Sequence, residues 1–262
     1  LSNLHFAYLC TMKYYIRIFI FIIFCLLSFQ KVNAQQKIEV EKEALLLHIN
    51  YGYSYAGGDL AKRFGNNFGV GGSLEYKLKN DFFVGVDYTY LWGKNVKEKI
   101  AQNIYNAKNE IVGIDNHLAN LTLRERGFAL SASFGKIFRP FNNEDAGVKI
   151  SVGGGWLQHK VRIVDEYGVV PQILEDYLHG YDRLTNGLLT RQYIGYQYLS
   201  SNRRVNFSIG LVLMQGFTKS SRGFNYDTGL KDNARRLDLI NGIQVSWVLP
   251  FYFNDYSSEI IY

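Results

Sequence analysis

Imidazole is the side chain most often recruited as a base or a metal ligand near neutral pH, so the histidines come first. They are His5, His48, His117, His159 and His179. Nucleophilic catalysis needs a hydroxyl within hydrogen-bond reach of such a base and a third group to orient it. His159 stands in Trp156-Leu157-Gln158-His159-Lys160, with Asp165 close in sequence, where a strand reaches its rim. No His-x-Ser pair sets a base and a hydroxyl on one face of a strand, so His159 reads as an interfacial polar residue. His117 with Asp115, and His179 with Asp176 and Asp182, lack a recognisable zinc-ligand spacing. Gly69-Val70-Gly71-Gly72 and Gly153-Gly154-Gly155 lack the spacing and the strand-to-helix context of a phosphate-binding loop. Glycine inside a strand instead makes room for large neighbours and close backbone approach. No catalytic, cofactor-binding or metal-binding residue is expected.

The elements that would carry any site begin after a leader. Met12 is followed by Lys13 and Arg17, an apolar run from Ile18 to Phe29, and Val32-Asn33-Ala34. A basic start, a short apolar run and a small final residue predict a cleaved secretory signal peptide over 12–34, with 1–11 an upstream extension that is not native. The run is shorter than the ~17–25 residues of a spanning helix. Cys10 and Cys25 go with the leader, which excludes a disulfide framework, and bulky Phe24 rules out lipidation at Cys25. So do Lys13, Arg17 and Lys31, leaving less of the +6 formal charge. Without a long basic run or RNA-binding motif, nucleic acid is excluded as a partner.

Beyond residue 43 the chain alternates in polarity over eight long runs: Ala44 to Ser54, Asn67 to Leu78, Phe82 to Trp92, Leu123 to Phe138, Val148 to Val161, Leu188 to Leu199, Val205 to Phe217 and Leu237 to Phe251. Val205, Phe207, Ile209, Leu211 and Leu213, for example, oppose Asn206, Ser208 and Gly210. Soluble strands average about 5–6 residues, whereas strands crossing a bilayer at a tilt need ~9–11. Long connections alternate with short ones near Lys79-Asn80-Asp81, Arg139-Pro140-Phe141 and Ser201-Asn202, as long outer loops and short periplasmic turns would. The expected fold is all-β, an eight-stranded antiparallel transmembrane β-barrel in an up-and-down meander over 44–253. Residues 35–43 form a periplasmic lead-in and 254–262 a periplasmic tail. Asn241 interrupts the apolar face of the last run and predicts a bulge.

This frame gives the charged and aromatic residues their places. The inward faces collect His48, Glu75, Lys77, Asp87, Lys149, Arg191 and Asp238, which in so narrow a lumen must pair into a polar plug. Arg124, Arg126, Lys160, Arg162, Arg183, Arg235 and Arg236 fall near the outer rim, where a cationic ring suits lipopolysaccharide phosphates. Tyr53, Tyr90, Trp92, Trp156, Phe217, Phe82, Phe207, Trp247 and Phe251 are placed as lipid-interface aromatics. The longest loops, 93–122 and 162–187, carry apolar and tyrosine side chains suited to covering the barrel mouth or contacting another envelope protein. Val96, Ile100, Ile104 and Tyr105 have helix-like spacing in the first of these.

The pattern resembles small outer-membrane barrels of the OmpA, OmpX and OmpW kind, in a Bacteroidota style. The pointers are Gln35-Gln36 after the leader, the segment Gly57-Gly58-Asp59-Leu60-Ala61-Lys62-Arg63-Phe64-Gly65, and the last strand's Val245-Ser246-Trp247-Val248-Leu249-Pro250-Phe251. The chain departs from that group by continuing past its last strand to Tyr262. The resemblance implies residence in the outer membrane among lipid and lipopolysaccharide. It further implies partners in secretion or gliding machinery, which such barrels include; with no catalytic constellation among the histidines, the expected role is non-enzymatic, structural or partner-binding. A lipid A-modifying barrel enzyme and a narrow small-solute channel are the alternatives.

Overall fold

The computed structural model describes residues 43–139, 146–200 and 205–253. Eight strands close into one antiparallel barrel: β1 (Ala44–Gly58), β2 (Asn67–Lys77), β3 (Phe82–Gly93), β4 (Leu121–Phe138), β5 (Ala146–Asp165), β6 (Thr185–Leu199), β7 (Asn206–Ser220) and β8 (Arg235–Tyr252). Each strand pairs with the next in sequence, and β8 returns to β1 from Ala44↔Tyr252 to Gly58↔Asp238. Closure leaves no sheet edge, so wall backbone groups find partners along the whole ring. The expected extension, the leader, nearly all of the lead-in and the tail lie outside the described residues.

The strands form because their side chains alternate. Leu47, Ile49 and Tyr51 of β1 are exposed on the outside, while His48 and Asn50 between them are buried in the lumen. Val84, Val86, Tyr88 and Tyr90 of β3 alternate with buried Phe83, Asp87 and Leu91 in the same way. At Gly71 and Gly155, on the inward face, an added Cβ would stand 1.9 Å from the Tyr88 and Leu130 carbonyl oxygens of the adjacent strand. Only glycine permits so close an approach of wall strands.

All eight predicted strands exist, but several run further at the long-loop end: β1 to Gly58, β5 to Asp165 and β7 to Ser220, with β6 starting at Thr185. Apolar alternation stops there while backbone pairing continues. The bulge expected at Asn241 is absent: the register runs through it unbroken, opposite Tyr55 on β1 and Leu213 on β7. The helix suggested by Val96, Ile100, Ile104 and Tyr105 is also absent, and only a 3-10 turn, Gln102–Ile104, occurs there. Ala101 takes the left-handed conformation (φ 60), which a right-handed helix cannot pass through. The four side chains pack on the apolar cluster over the barrel mouth instead.

Ring closure has a direct test. Opposed residues on neighbouring antiparallel strands have Cα atoms about 4.5–5.5 Å apart, within disulfide range. With Cys10 and Cys25 changed to serine, Leu47→Cys and Leu249→Cys, which face each other across β1 and β8, should oxidise to a cross-link in the folded protein. Leu47→Cys with Ser246→Cys should not, because Ser246 points to the other face; a reversed result would break the closure and its register.

Candidate functional site

The lumen is built in layers, and charge is confined to particular levels. In the layer nearer the short turns, Lys149 Nζ donates to both Glu75 carboxylate oxygens, at 2.5 and 2.7 Å, and His48 Nε2 lies 3.1 Å from Oε2. Asp87 accepts from Ser73 Oγ at 2.6 Å and Ser133 Oγ at 2.8 Å, with Arg191 NH1 3.3 Å away. Arg191 NH2 also donates to Gln244 Oε1 at 3.2 Å, and the Lys149 ammonium stands 4.7 Å from the centre of the Phe83 ring. All five ionisable groups here are buried. Such a set holds only when its members satisfy one another, because a buried charge left alone is penalised by several kcal/mol.

The sequence-selected inward set therefore divides. His48, Glu75, Asp87, Lys149 and Arg191 meet in one network. Lys77 sits lower and pairs with Asp81 at 2.8 Å; Arg139 Nε is 2.9 Å from the same carboxylate, closing the short-turn end. Asp238 belongs to a higher layer, separated from the first by inward Leu91, Ala129, Leu157, Leu189, Val212, Met214 and Ile240. There it accepts from Thr218 Oγ1 at 2.5 Å and lies 2.9 Å from His159 Nε2.

His159 is thus not an interfacial residue. It points inward, is only 1% exposed, and meets the Phe64 ring edge-on at 5.6 Å. Its acid partner is Asp238 across the lumen, rather than Asp165, which accepts from the backbone N–H groups of Tyr167 and Val170. The reason is parity: directly opposite Gly127 and Thr185, His159 takes the inward side of β5. The hydroxyl in this chain bonds the carboxylate and not the imidazole, so the carboxylate stands between hydroxyl and base. That order does not activate a nucleophile, which requires the base next to the hydroxyl.

Above this layer the long loops form a roof. The short helix α1 (Leu60–Arg63) and Phe64 bury Leu60 and Phe64 completely over the mouth. Arg63 gathers the other loops: Nε donates to Glu98 at 2.7 Å, NH1 to Thr185 Oγ1 at 2.8 Å and NH2 to the Arg183 carbonyl at 3.1 Å. Arg183 in turn grips Asp227 at 2.7 Å, and Arg222 donates to both oxygens of Asp182, at 2.8 and 2.5 Å. These hydrogen bonds raise the pKa of the Arg222 guanidinium above its ordinary value. Ile100, Ile111, Val170, Ile173 and Tyr181 fill the space beneath.

Two cavities in the lumen measure about 10 and 20 Å³. The first lies among the charged groups and has room for a single water; the second lies higher, beside Leu91, Val212 and Met214. Among the described residues, no group of three or more His, Cys, Asp or Glu side chains is placed to hold a metal ion.

The outer wall sorts the expected rim. Arg124, Arg126, Lys160 and Arg162 share the outward register with Leu130 and Trp156, on β4 and β5. Arg235 faces outward from the start of β8, opposite Lys219 on β7. Arg183 and Arg236 do not belong to this rim. Arg183 is buried in the roof with Asp227 and Glu98, and Arg236 takes the inward register and pairs with Asp232. Both were placed by proximity in sequence, which cannot distinguish a rim cation from one turned into the roof. The aromatics lie on the outward registers: Trp156, Tyr90 and Phe217 are exposed near the long-loop end, and Phe207, Trp247 and Phe251 near the other. Phe82 stacks on Phe134, and Tyr53 and Trp92 join Tyr51 and Phe68 in one outward cluster.

Several functional residues lay beyond sequence reasoning. Arg63, Glu98, Arg222 and Asp227 come from loops, where no periodicity links a residue to its partner. Lys219 was readable in principle, since it continues the outward parity of Phe217, but the strand was expected to stop at Phe217. Glu125, fully buried beside Asn67, carried no signal beyond its inward parity.

The charged layer yields a double-mutant test. Glu75→Leu alone strands Lys149 and should destabilise the folded barrel by about 3–5 kcal/mol, as for other broken buried pairs. Glu75→Leu with Lys149→Met should recover most of that loss, read as the urea midpoint of the folded form. Simple additivity of the two substitutions would show that the pair is not coupled.

No protein-family model and no curated protein matches the chain. Among solved structures it is similar to Neisserial surface protein A, at 14% identity and a TM-score of 0.41, over 79% of this chain and 97% of that one. It is similar also to Ail, the attachment invasion locus protein of Yersinia pestis, at 12% identity and a TM-score of 0.39, over 79% and 99%. The outer membrane protein OprG from Pseudomonas aeruginosa is similar at 12% identity and a TM-score of 0.34, over 80% and 97%. What the likeness concerns is the course of the chain through the barrel, which the strand pairing of this protein establishes on its own.

Proposed function

We propose that this chain is a non-enzymatic outer-membrane β-barrel protein with a filled lumen. In this reading it serves as a structural or partner-binding subunit of an envelope complex, such as a secretion or gliding assembly, through its loop roof. The observation that carries the membrane reading is the inverted polarity of the wall. Ile49, Leu74, Val86, Phe134, Val152, Ile194, Leu211 and Val245, one from each strand, are exposed, while inward His48, Glu75, Asp87, Lys149, Arg191 and Asp238 are buried. In water such a belt is unfavourable, whereas in hydrocarbon it is the required surface. Every strand has at least the ~9–11 residues that a tilted crossing needs, from 11 in β2 to 20 in β5. The predicted export leader agrees with this, and the long loops then face the exterior.

The roof supports a partner-binding role. Val112, Ile114 and Leu118 of the small hairpin in the β3–β4 loop, with Tyr167 and Tyr177 of the β5–β6 loop, are all more than half exposed. The Ile114 N–H donates to the Val169 carbonyl, so the two loops present these side chains from one joined surface. Above the membrane, apolar groups gathered this way favour cover by another protein. Against a channel stands the packed lumen, whose cavities of about 10 and 20 Å³ hold no more than isolated waters. Against an enzyme stands the Thr218–Asp238–His159 order described above.

Three outcomes are expected. Val86→Arg should destabilise the barrel in a bilayer by about 2–4 kcal/mol, while Ile114→Arg on the roof should change stability by less than about 0.5 kcal/mol; equal small effects would remove the membrane reading. Gentle detergent extraction of native membranes should recover the chain in a particle larger than the monomer. Ile114→Ser with Tyr167→Ser and Tyr177→Ser should release the monomer without lowering its urea midpoint. Recovery of the unaltered chain alone, at monomer size, would overturn the subunit role. Finally, His48→Ala and His159→Ala should leave the lipid A mass spectrum unchanged, and an altered spectrum would restore the enzyme alternative.

A further inference from the structure

The register of β4 against β5 places like charges in direct opposition. Arg126 faces Lys160 and Arg124 faces Arg162, all on the outward surface. Side chains directly opposed in an antiparallel pair have Cβ atoms about 4.5–5.5 Å apart, and like charges there destabilise the sheet. Two such rungs follow one another, separated by about 7 Å along the strands. No carboxylate among the described residues lies within ion-pair distance of Arg124, Arg126 or Arg162. Lys160 has only Asp182, at 3.8 Å, and both oxygens of Asp182 are held by Arg222.

This is not the general condition of cations at this end of the molecule. Arg63, Arg183, Arg222 and Arg236 are each matched to a carboxylate. The four outward cations of β4 and β5 are not; Lys219 and Arg235 form one further opposed rung on β7 and β8, but only β4 and β5 set two such rungs one above the other, and the repulsion built into that register calls for an anion from outside the chain. The next outward rungs toward the barrel's middle are Phe128 with Gln158 and then Leu130 with Trp156, the start of the apolar belt. An anion seated on the cations therefore lies directly above a surface for acyl chains, as in a lipid and not in a free anion. With 18 and 20 residues, β4 and β5 also exceed the length of a hydrocarbon crossing, so their last rungs reach headgroup height.

We propose that Arg124, Arg126, Lys160 and Arg162 form a binding site for the phosphate groups of an outer-leaflet lipid, each rung flanking one anionic group of a doubly phosphorylated headgroup. Arginine's planar fork suits bidentate contact with phosphate oxygens, and the bound anion relieves the cross-strand repulsion. The inference rests on the membrane reading above.

The test uses the full folded chain in nanodiscs of phosphatidylcholine, with or without diphosphoryl lipid A, and a variant carrying Arg124→Gln, Arg126→Gln, Lys160→Gln and Arg162→Gln. Diphosphoryl lipid A should raise the urea midpoint of the unaltered protein and remain bound to it in native mass spectrometry. The fourfold variant should retain it at least about tenfold less, since each charge-assisted contact contributes on the order of a tenfold factor. In phosphatidylcholine alone the variant should be the more stable of the two, because its repulsion is gone. Lys219→Gln with Arg235→Gln, on the far strands, should leave lipid retention unchanged. Equal retention by the fourfold variant, or a loss just as large from the Lys219/Arg235 pair, would overturn the site. An equal rise in midpoint from inorganic phosphate in phosphatidylcholine discs would overturn the lipid as the source. Failure to fold into any disc would sink the membrane reading instead, a result distinguishable from each of these.

Discussion

Closure of an eight-stranded ring is the constraint from which the remaining features follow. Once β8 pairs with β1 the wall has no edge, and the lumen is only as wide as the side chains that fill it. Any charge pointing inward then has little access to water and must find a counter-charge or hydrogen-bond donors. Glu75 meets Lys149, Asp87 meets Arg191 and the Ser73 and Ser133 hydroxyls, and Asp238 meets Thr218 and His159. An apolar layer lies between the two polar levels. The roof extends the same logic upward, with Arg63 joining the loops into a cover.

Much of this architecture was legible because a strand's period of two is a strong code when each face meets a different medium. Leu47, Ile49 and Tyr51 against His48 and Asn50 assign the sides of β1 without reference to anything else. The code changed above the apolar belt, where outward positions turn charged while Val161, Ile163 and Thr218 on the inward face stay buried. The last rungs of β5 and β7 thus lost the apolar outward face before they lost their pairing, so Lys219 passed for a loop residue. Asn241 shows the converse: one polar residue on the apolar face looked like a bulge, yet backbone pairing absorbed it without a break.

Side-chain partnership was harder to read than side-chain direction. The inward set shares the lumen side of the wall, but its division into levels depends on the stagger between strands, which no single strand reveals. His159 illustrates the gap. Its neighbours in sequence offered Asp165, whereas the register offered Asp238, from a strand near the other end of the chain. The roof pairs were out of reach altogether, because Arg63 and Thr185 are joined only after the chain has passed through four of the eight strands.

The wall also differs from one arc to another. Along β1, β2 and β3 the outward upper surface is a run of rings, Tyr51, Tyr53, Tyr55, Phe68, Tyr90 and Trp92 packed against one another. Along β4, β5, β7 and β8 the same height carries Arg124, Arg126, Lys160, Arg162, Lys219 and Arg235. The molecule consequently has a front and a back around the barrel axis. Turning it about that axis changes what a lateral neighbour meets, so azimuth as well as height along the barrel distinguishes one contact from another.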